Sequence, residues 1–234
     1  MTSSTNSQTQ NILITPLSNP FENGKIPNPK KLPRPIVFLS GTTNHHKDET
    51  RWQQVLTDYL FTTSSSSTST STDSLIACTP VISHPPLTII DPYNPDWDST
   101  WREDQLNDKF VTQVDFEIEC LEVADVVVVG FVGRDVREGK IGVGGSSLVE
   151  LGVVLGRGKG EGLEGKKVIV CVESGFWKEG YVRVLCERFG EGVSCVGSLE
   201  GLMGVLGREV GGWGLGDGDE EGRCVIMGMG GISG

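Results

Sequence analysis

Residues 124–131 read Ala-Asp-Val-Val-Val-Val-Gly-Phe, and so unbroken a β-branched run admits few folds. A strand without polar alternation is covered on both faces, the situation of a strand inside a parallel sheet. Four more segments read as strands: Ile-Val-Phe-Leu at 36–39, Leu-Thr-Ile-Ile at 87–90, Val-Ile-Val-Cys-Val at 168–172 and a short one at 193–196. Helical spacing of apolar residues fills the intervals at about 48–61, 103–123, 178–189 and 198–210, with a further helix beginning near Ser147. Strands alternating with helices predict a single α/β domain, a parallel sheet of about five strands with helices on both faces.

Composition sets the boundaries. Residues 1–34 are rich in Ser, Thr, Asn, Gln and Pro and read as a disordered N-terminal tail, because they offer too little apolar surface to offset their ordering entropy. Within the domain, 35–210, residues 62–86 contain a Ser/Thr tract that reads as a low-complexity surface insertion, and 211–234 form a Gly-rich tail. Lys and Arg total 20 against 31 Asp and Glu, a formal charge of -11, and basic residues are nowhere concentrated. A nucleic-acid polymer is therefore not an expected partner. Neither a membrane span nor a secretory leader is expected, since no apolar run approaches the length required. The six cysteines contain no C-x-x-C pair and read as reduced thiols of a cytoplasmic protein. His45, His46 and His84 lack metal-ligand spacing, so no metal is expected.

In a parallel sheet the ligand crevice lies beyond the carboxyl ends of the strands. The polar residues reaching that edge are Ser40, Thr42 and Asn44, then Asp91 and Asn94, then Arg134 and Asp135, and finally Glu173 and Ser174. Glu150 joins them from the first turn of the helix after the valine strand, and Gln113 and Glu117, four apart on the helix before it, share an edge beside the apolar stripe Phe110, Val114, Ile118 and Leu121. Carboxylates with amide and hydroxyl groups, with Phe131 and Trp97 but no His or Cys nucleophile, suit chemistry at a sugar carbon.

Each of these residues also has a plain structural reading. Ser147-Leu-Val-Glu150 matches the S-x-x-E capping box, in which the glutamate closes a helix start. Glu117 is otherwise one more solvated acid on an acidic helix. Asp91, before Pro92, either holds its own loop as an Asx turn or binds a sugar hydroxyl. Asp125 opens its strand at the edge remote from the crevice and is structural. The glycines of Gly142-Val-Gly-Gly145 resemble an anion nest, but with 32 glycines in the chain the pattern carries little weight.

Val37-Phe-Leu-Ser-Gly41, Ile90-Asp-Pro with Asp96-Trp-Asp98, Gln113-Val-Asp-Phe-Glu117, Ala124-Asp-Val-Val-Val-Val129 and Ser147-Leu-Val-Glu-Leu-Gly152 together resemble the nucleoside 2-deoxyribosyltransferase-like family, in its divergent branch. The resemblance spans about 36–197. It implies a flavodoxin-like, Rossmann-like fold, no cofactor, and homo-oligomers whose neighbouring subunits help close the site. It assigns Glu150 as the nucleophile that attacks the anomeric carbon and Glu117 as the acid assisting the base. Ser40, Gly41, Asp91, Asn94, Gln113, Phe131 and Ser147 fall where sugar and base contacts are expected. Where the best-studied members carry a first-strand Tyr that helps hold the nucleophile, this chain has Phe38, and glycines replace an Asp shortly before the E-L-G glutamate.

The resulting expectation is an N-glycosidic enzyme for nucleosides or nucleotides, transferase or hydrolase. Two alternatives stay open. One is a nucleoside 5'-monophosphate phosphoribohydrolase, for which Gly144-Gly-Ser-Ser-Leu-Val-Glu150 is a partial match; the other is a nucleotide-binding module without turnover.

Overall fold

The computed structural model of the chain describes residues 10–18, 28–43, 46, 48–63, 84–97, 103–157, 166–190 and 192–213. Asn44, His45, most of the Ser/Thr tract, Cys78 and the segment beyond Trp213 lie outside them.

The chain order is β1 (Ile12–Ile14), β2 (Ile36–Gly41), α1 (Trp52–Thr63), β3 (Thr88–Ile90), α2 (Asp108–Val123), β4 (Val126–Phe131), α3 (Arg134–Arg137), α4 (Gly145–Arg157), β5 (Lys167–Val172), α5 (Glu179–Phe189), β6 (Val193–Val196) and α6 (Leu199–Gly211). The strands form one parallel sheet in the order β1-β3-β2-β4-β5-β6. Without its first edge strand this is the flavodoxin-like order, in which the chain leaves β2 toward β3 and crosses back to β4. The crevice between the ends of β2 and β4 is thus the topological switch point.

Five strands fall where the apolar runs predict them. The sixth, Ile12–Ile14, pairs with β3 from Ile12 opposite Thr88 to Ile14 opposite Ile90, and it comes from the segment that composition marks as a tail. Three apolar residues among polar ones are invisible to an average over thirty positions, yet Ile14 is fully buried at the sheet edge.

Strand alternation divides the core in two. Phe38, Ile90, Val127, Val129, Val168 and Val170 face the layer of α2, α4 and α5, with Phe116, Leu151 and Val182 packed on them. Val37, Leu39, Ile89, Val126, Val128 and Ile169 face α1 and α6, meeting Trp52, Leu56, Leu202 and Leu206. Helices therefore cover both faces, as double burial of the valine strand requires.

Helix ends are chemically marked. Asn107 caps α2, its side chain accepting from Lys109 N at 3.2 Å, and Ser198 caps α6 through Gly201 N at 3.2 Å. At the other end of α2 the Lys166 ammonium donates to the carbonyls of Leu121, Glu122 and Ala124 at 2.7–2.8 Å, a cation against the negative end of the helix.

Two expectations are revised. The buried stripe of α2 runs through Gln113, Phe116, Cys120 and Leu121, while Ile118 is 45% exposed. The helix is rotated from the apolar-moment reading, and the rotation turns Gln113 inward. Between 132 and 145, whose glycines predict a loop, the four residues of α3 form a helical turn behind Gly133.

Candidate functional site

Ser40 is the last side chain of β2 before Gly41 and, by alternation with Phe38, points to the α2–α4 face. Its hydroxyl donates to Oε2 of Glu150. Glu117 approaches from α2, and its carboxyl is hydrogen-bonded to that of Glu150. Gln113, one turn earlier, donates from Nε2 to Glu117 Oε1 and to the Pro92 carbonyl, both at 2.9 Å, while its Oε1 accepts from Asn94 Nδ2 at 3.3 Å. A single hydrogen-bonded line thus runs Asn94, Gln113, Glu117, Glu150, Ser40 across the switch point.

Two carboxyls in contact cannot both ionise in a half-buried place. Burial, followed by the charge of Glu150, pushes Glu117 up to about 8, against the lowering effect of the Gln113 amide. Burial also raises Glu150, but the hydrogen bonds from Ser40 and Glu117 work in the opposite direction. Of the two, Glu117 is the member that keeps its proton to higher pH. The arrangement is therefore a carboxylate beside a carboxylic acid, the combination that glycosidic chemistry uses for attack and for protonation of the departing group.

The backbone beneath this pair is closely fitted. Gly41 has φ +146°, and a Cβ there would collide with the Gly130 backbone on the neighbouring strand. The Trp52 indole lies over both glycines and donates to the Thr42 carbonyl at 3.0 Å. Thr42 in turn ties the ends of β2 and β4 together, donating from Oγ1 to Val132 O at 2.6 Å and accepting from Val132 N at 3.1 Å.

The capping-box reading of Glu150 does not hold. Helix α4 begins at Gly145, so Ser147 is its buried third residue and Glu150 its sixth, beyond the first turn. The competing helix start is created by Gly144, at φ +71°, whose carbonyl accepts from Leu148 N at 3.0 Å. Glu150 is accordingly held by Ser40 and Glu117 and not by its own helix terminus.

Other residues singled out in the sequence fall elsewhere. Asp91 follows Ile90 onto the opposite face, where Arg51 grips both its oxygens at 2.9 and 3.3 Å and Tyr93 N donates to Oδ1 at 3.0 Å. The Arg51 guanidinium also stacks 3.8 Å above the Tyr93 ring. Phe131 is fully buried against Phe176, ring centroids 4.3 Å apart, and supports Gly144 from below. Trp97 packs on Phe110, ring centroids 6.1 Å apart.

Arg134, Asp135 and Glu173 belong to an ionic network around α3. His46 and Lys140 hold Asp135 down to about 2, while Arg137 joins Glu173 at 3.0 Å and Glu49 at 2.6 Å. Asp125 is structural, as its place at the strand start indicates, since it pairs with Arg34 and accepts from Ile36 N at 2.8 Å. Among the described residues no group of three or more His, Cys, Asp and Glu side chains is placed to hold a metal ion, and no helix is long and apolar enough to cross a membrane.

Arg51 escaped the sequence reading, and Trp52 is legible there only as an apolar position of the helix at about 48–61. Their roles at the site have no local signal, because Asp91 lies 40 residues from Arg51 and the Trp52 indole covers the backbone of Gly41 and Gly130. The one available hint is that a buried Asp at a strand end requires a cation.

In comparisons with known proteins, residues 34–176, more than half of the chain, match the family described as nucleoside 2-deoxyribosyltransferase like. No curated protein matches the chain. The chain belongs to the nucleoside 2-deoxyribosyltransferase-like family, and the matched span contains the whole line from Ser40 to Glu150.

Proposed function

We propose that this member of the family breaks, and in the presence of an acceptor base re-forms, the N-glycosidic bond of a nucleoside or nucleotide by double displacement. The observation that carries the reading is the carboxyl-to-carboxyl contact of Glu117 and Glu150, in which burial favours the proton on Glu117 and the Ser40 hydroxyl donates to Glu150. Glu150 attacks the anomeric carbon as the bond to the base breaks, and the proton on Glu117 passes to the departing base nitrogen. The product is a glycosyl ester on Glu150 and an ionised Glu117, which then serves as the base for the second displacement.

Water and a second base compete for the glycosyl ester, so one mechanism covers hydrolase and transferase outcomes. Asn94 and Gln113 orient Glu117, because their amides are engaged with each other and with it. A second copy of the chain is proposed to pack beside the site. Ile118 next to Glu117, and Val149 and Val153 flanking Glu150, are 38–67% exposed.

The test incubates the protein with ribo- and deoxynucleosides and their 5'-monophosphates, with and without an acceptor base, following free base and new nucleoside by chromatography. Base release or exchange that disappears in folded Glu150→Gln supports the reading, and dependence on the monophosphate would select the phosphoribohydrolase version. Saturable nucleotide binding with no base release from any substrate would overturn it.

A further inference from the structure

We propose that Cys195 and Cys186 form a hydroperoxide-reactive dithiol, Cys195 attacking the peroxide and Cys186 closing a disulfide between β6 and α5. It lies at the edge of the sheet away from the acid pair and is independent of the glycosidic reading. Cys186 is buried on the inner face of α5, and Cys195 is a half-buried residue of the edge strand. Their thiols are near enough for each to shift the other's titration. Both line a cavity of about 330 Å³ whose other walls are Arg183, Glu187, Gly190 and Val193, so a small solute reaches the sulfur pair from solvent.

Roles within the pair differ. Hydrogen bonding from Cys186, assisted by the Arg183 guanidinium, brings Cys195 down to about 7, whereas Cys186 is pushed up as the donor. The more exposed sulfur is thus the thiolate, the nucleophilic form. Cys120 and Cys171, by contrast, are buried single thiols that burial pushes up.

In the first step the Cys195 thiolate attacks one peroxide oxygen, the O–O bond breaks, and the departing hydroxide takes a proton from solvent. Cys195 is left as a sulfenic acid. The Cys186 sulfur then attacks the Cys195 sulfur, the S–O bond breaks, and the hydroxyl leaves as water with the Cys186 proton. Two electrons pass from the thiol pair to the peroxide, and any cellular dithiol reductant reverses the bond by exchange.

The test treats the full chain with stoichiometric hydrogen peroxide and maps tryptic peptides without reduction. Arg188 lies between the two cysteines, so cleavage separates peptides 184–188 and 189–208 unless a disulfide joins them. The expected results are that linked pair, dimedone capture of Cys195 in Cys186→Ser, and no oxidation of Cys186 in Cys195→Ser. Iodoacetamide at pH 7 should alkylate Cys195 in the untreated protein more than about tenfold faster than Cys120 or Cys171, from its larger thiolate fraction. Unlinked 184–188 and 189–208 peptides after treatment, a bond from Cys195 to Cys78 or Cys224 instead, or alkylation of Cys195 no faster than of Cys120 would each overturn the proposal. The untreated protein needs no variant to fold for the alkylation arm.

Discussion

Glu117 on α2 and Glu150 on α4 meet carboxyl to carboxyl above the end of β2, and burial makes Glu117 the member that keeps its proton to higher pH. This relationship couples the proposed catalysis to stability, since the same burial that holds a proton on Glu117 penalises the fold when it ionises. In the native state Glu117 titrates near 8, against an ordinary value of 4.5. Between those values the native chain retains a proton that the unfolded chain has released, so stability falls as pH rises through the window and levels off above it. Glu117→Gln keeps the shape and an N–H donor toward Glu150 but cannot ionise. Its melting temperature relative to the parent should therefore rise steadily from pH 5 to pH 8, measured by thermal unfolding in matched ionic strength. A constant difference across that range would mean that Glu117 is ionised in the native protein.

The same proton shapes the pH–rate profile. In the proposed mechanism turnover requires Glu117 protonated and Glu150 ionised, so base release should decline above about pH 8, and this limb should vanish in Glu117→Gln, along with most of the activity. Both apparent values belong to the pair and not to one residue.

Ser40→Ala tests how Glu150 is held. The hydroxyl hydrogen bond favours the ionised carboxylate. A bond to a charged group contributes about 1.5–3 kcal/mol, which at 1.4 kcal/mol per tenfold corresponds to a loss of roughly 10- to 100-fold in turnover. The acid limb of the profile should also move to higher pH, because Glu150 without its donor is harder to ionise. Unchanged turnover and an unmoved limb would show that Ser40 is incidental. The outcome also bears on Phe38, which stands where a first-strand Tyr hydroxyl is expected from resemblance. Ser40 lies two residues on, on the same face of β2, and supplies a hydroxyl to Glu150.

What the sequence discloses follows from the range of the interactions. The valine strand, the order of elements, and the four-residue spacing of Gln113 and Glu117 are local signals, and they place the acids on the right elements. The line of hydrogen bonds does not show, because Ser40 and Glu150 are 110 residues apart and depend on how β2 and α4 are stacked. Local signals also misled where two competed. Ser147-x-x-Glu150 has the spacing of a cap, but the left-handed turn at Gly144 starts the helix earlier and carries Glu150 away from the terminus. On α2 the apolar stripe suggested Ile118 as core, whereas packing against Phe38 and Val129 selected Phe116 and Cys120 and brought Gln113 inward.

Two glycines, Gly130 in the sheet and Gly152 on helix α4, should respond oppositely to alanine. At Gly130 a Cβ would lie 2.5 Å from Trp52 Cζ2, within a closed β-sheet core. Overpacking of this kind costs about 1–3 kcal/mol, so Gly130→Ala should lower the urea midpoint and displace the indole from the floor of the switch point. At Gly152, on the exposed side of α4, a Cβ meets nothing within 4 Å. Gly152→Ala should raise stability by up to about 1 kcal/mol from helix propensity alone. Equal effects at the two positions would contradict the packing of Trp52.

Arg51 and Asp91 separate a structural carboxylate from a substrate contact. The Asp91 side chain is 5% exposed, and both its oxygens are taken, by a bidentate guanidinium and by Tyr93 N–H. Removing the cation leaves a buried carboxylate unpaired, so Arg51→Ala should cost about 3 kcal/mol, with part of the loss coming from the stacked Tyr93 ring. Removing both partners avoids the orphaned charge, and the Arg51→Ala/Asp91→Ala double variant should be more stable than the sum of the single losses predicts. A sugar hydroxyl approaching Asp91 would have to displace Arg51, which a bidentate pair on the far face of the sheet resists. Asp91→Asn is therefore expected to lower the unfolding midpoint while leaving the KM of any substrate that is turned over within about twofold of the parent value, since the carboxylate makes no contact with it in this arrangement. A large rise in KM with unchanged stability would place Asp91 in the sugar pocket instead, and would require Arg51 to swing away when substrate enters.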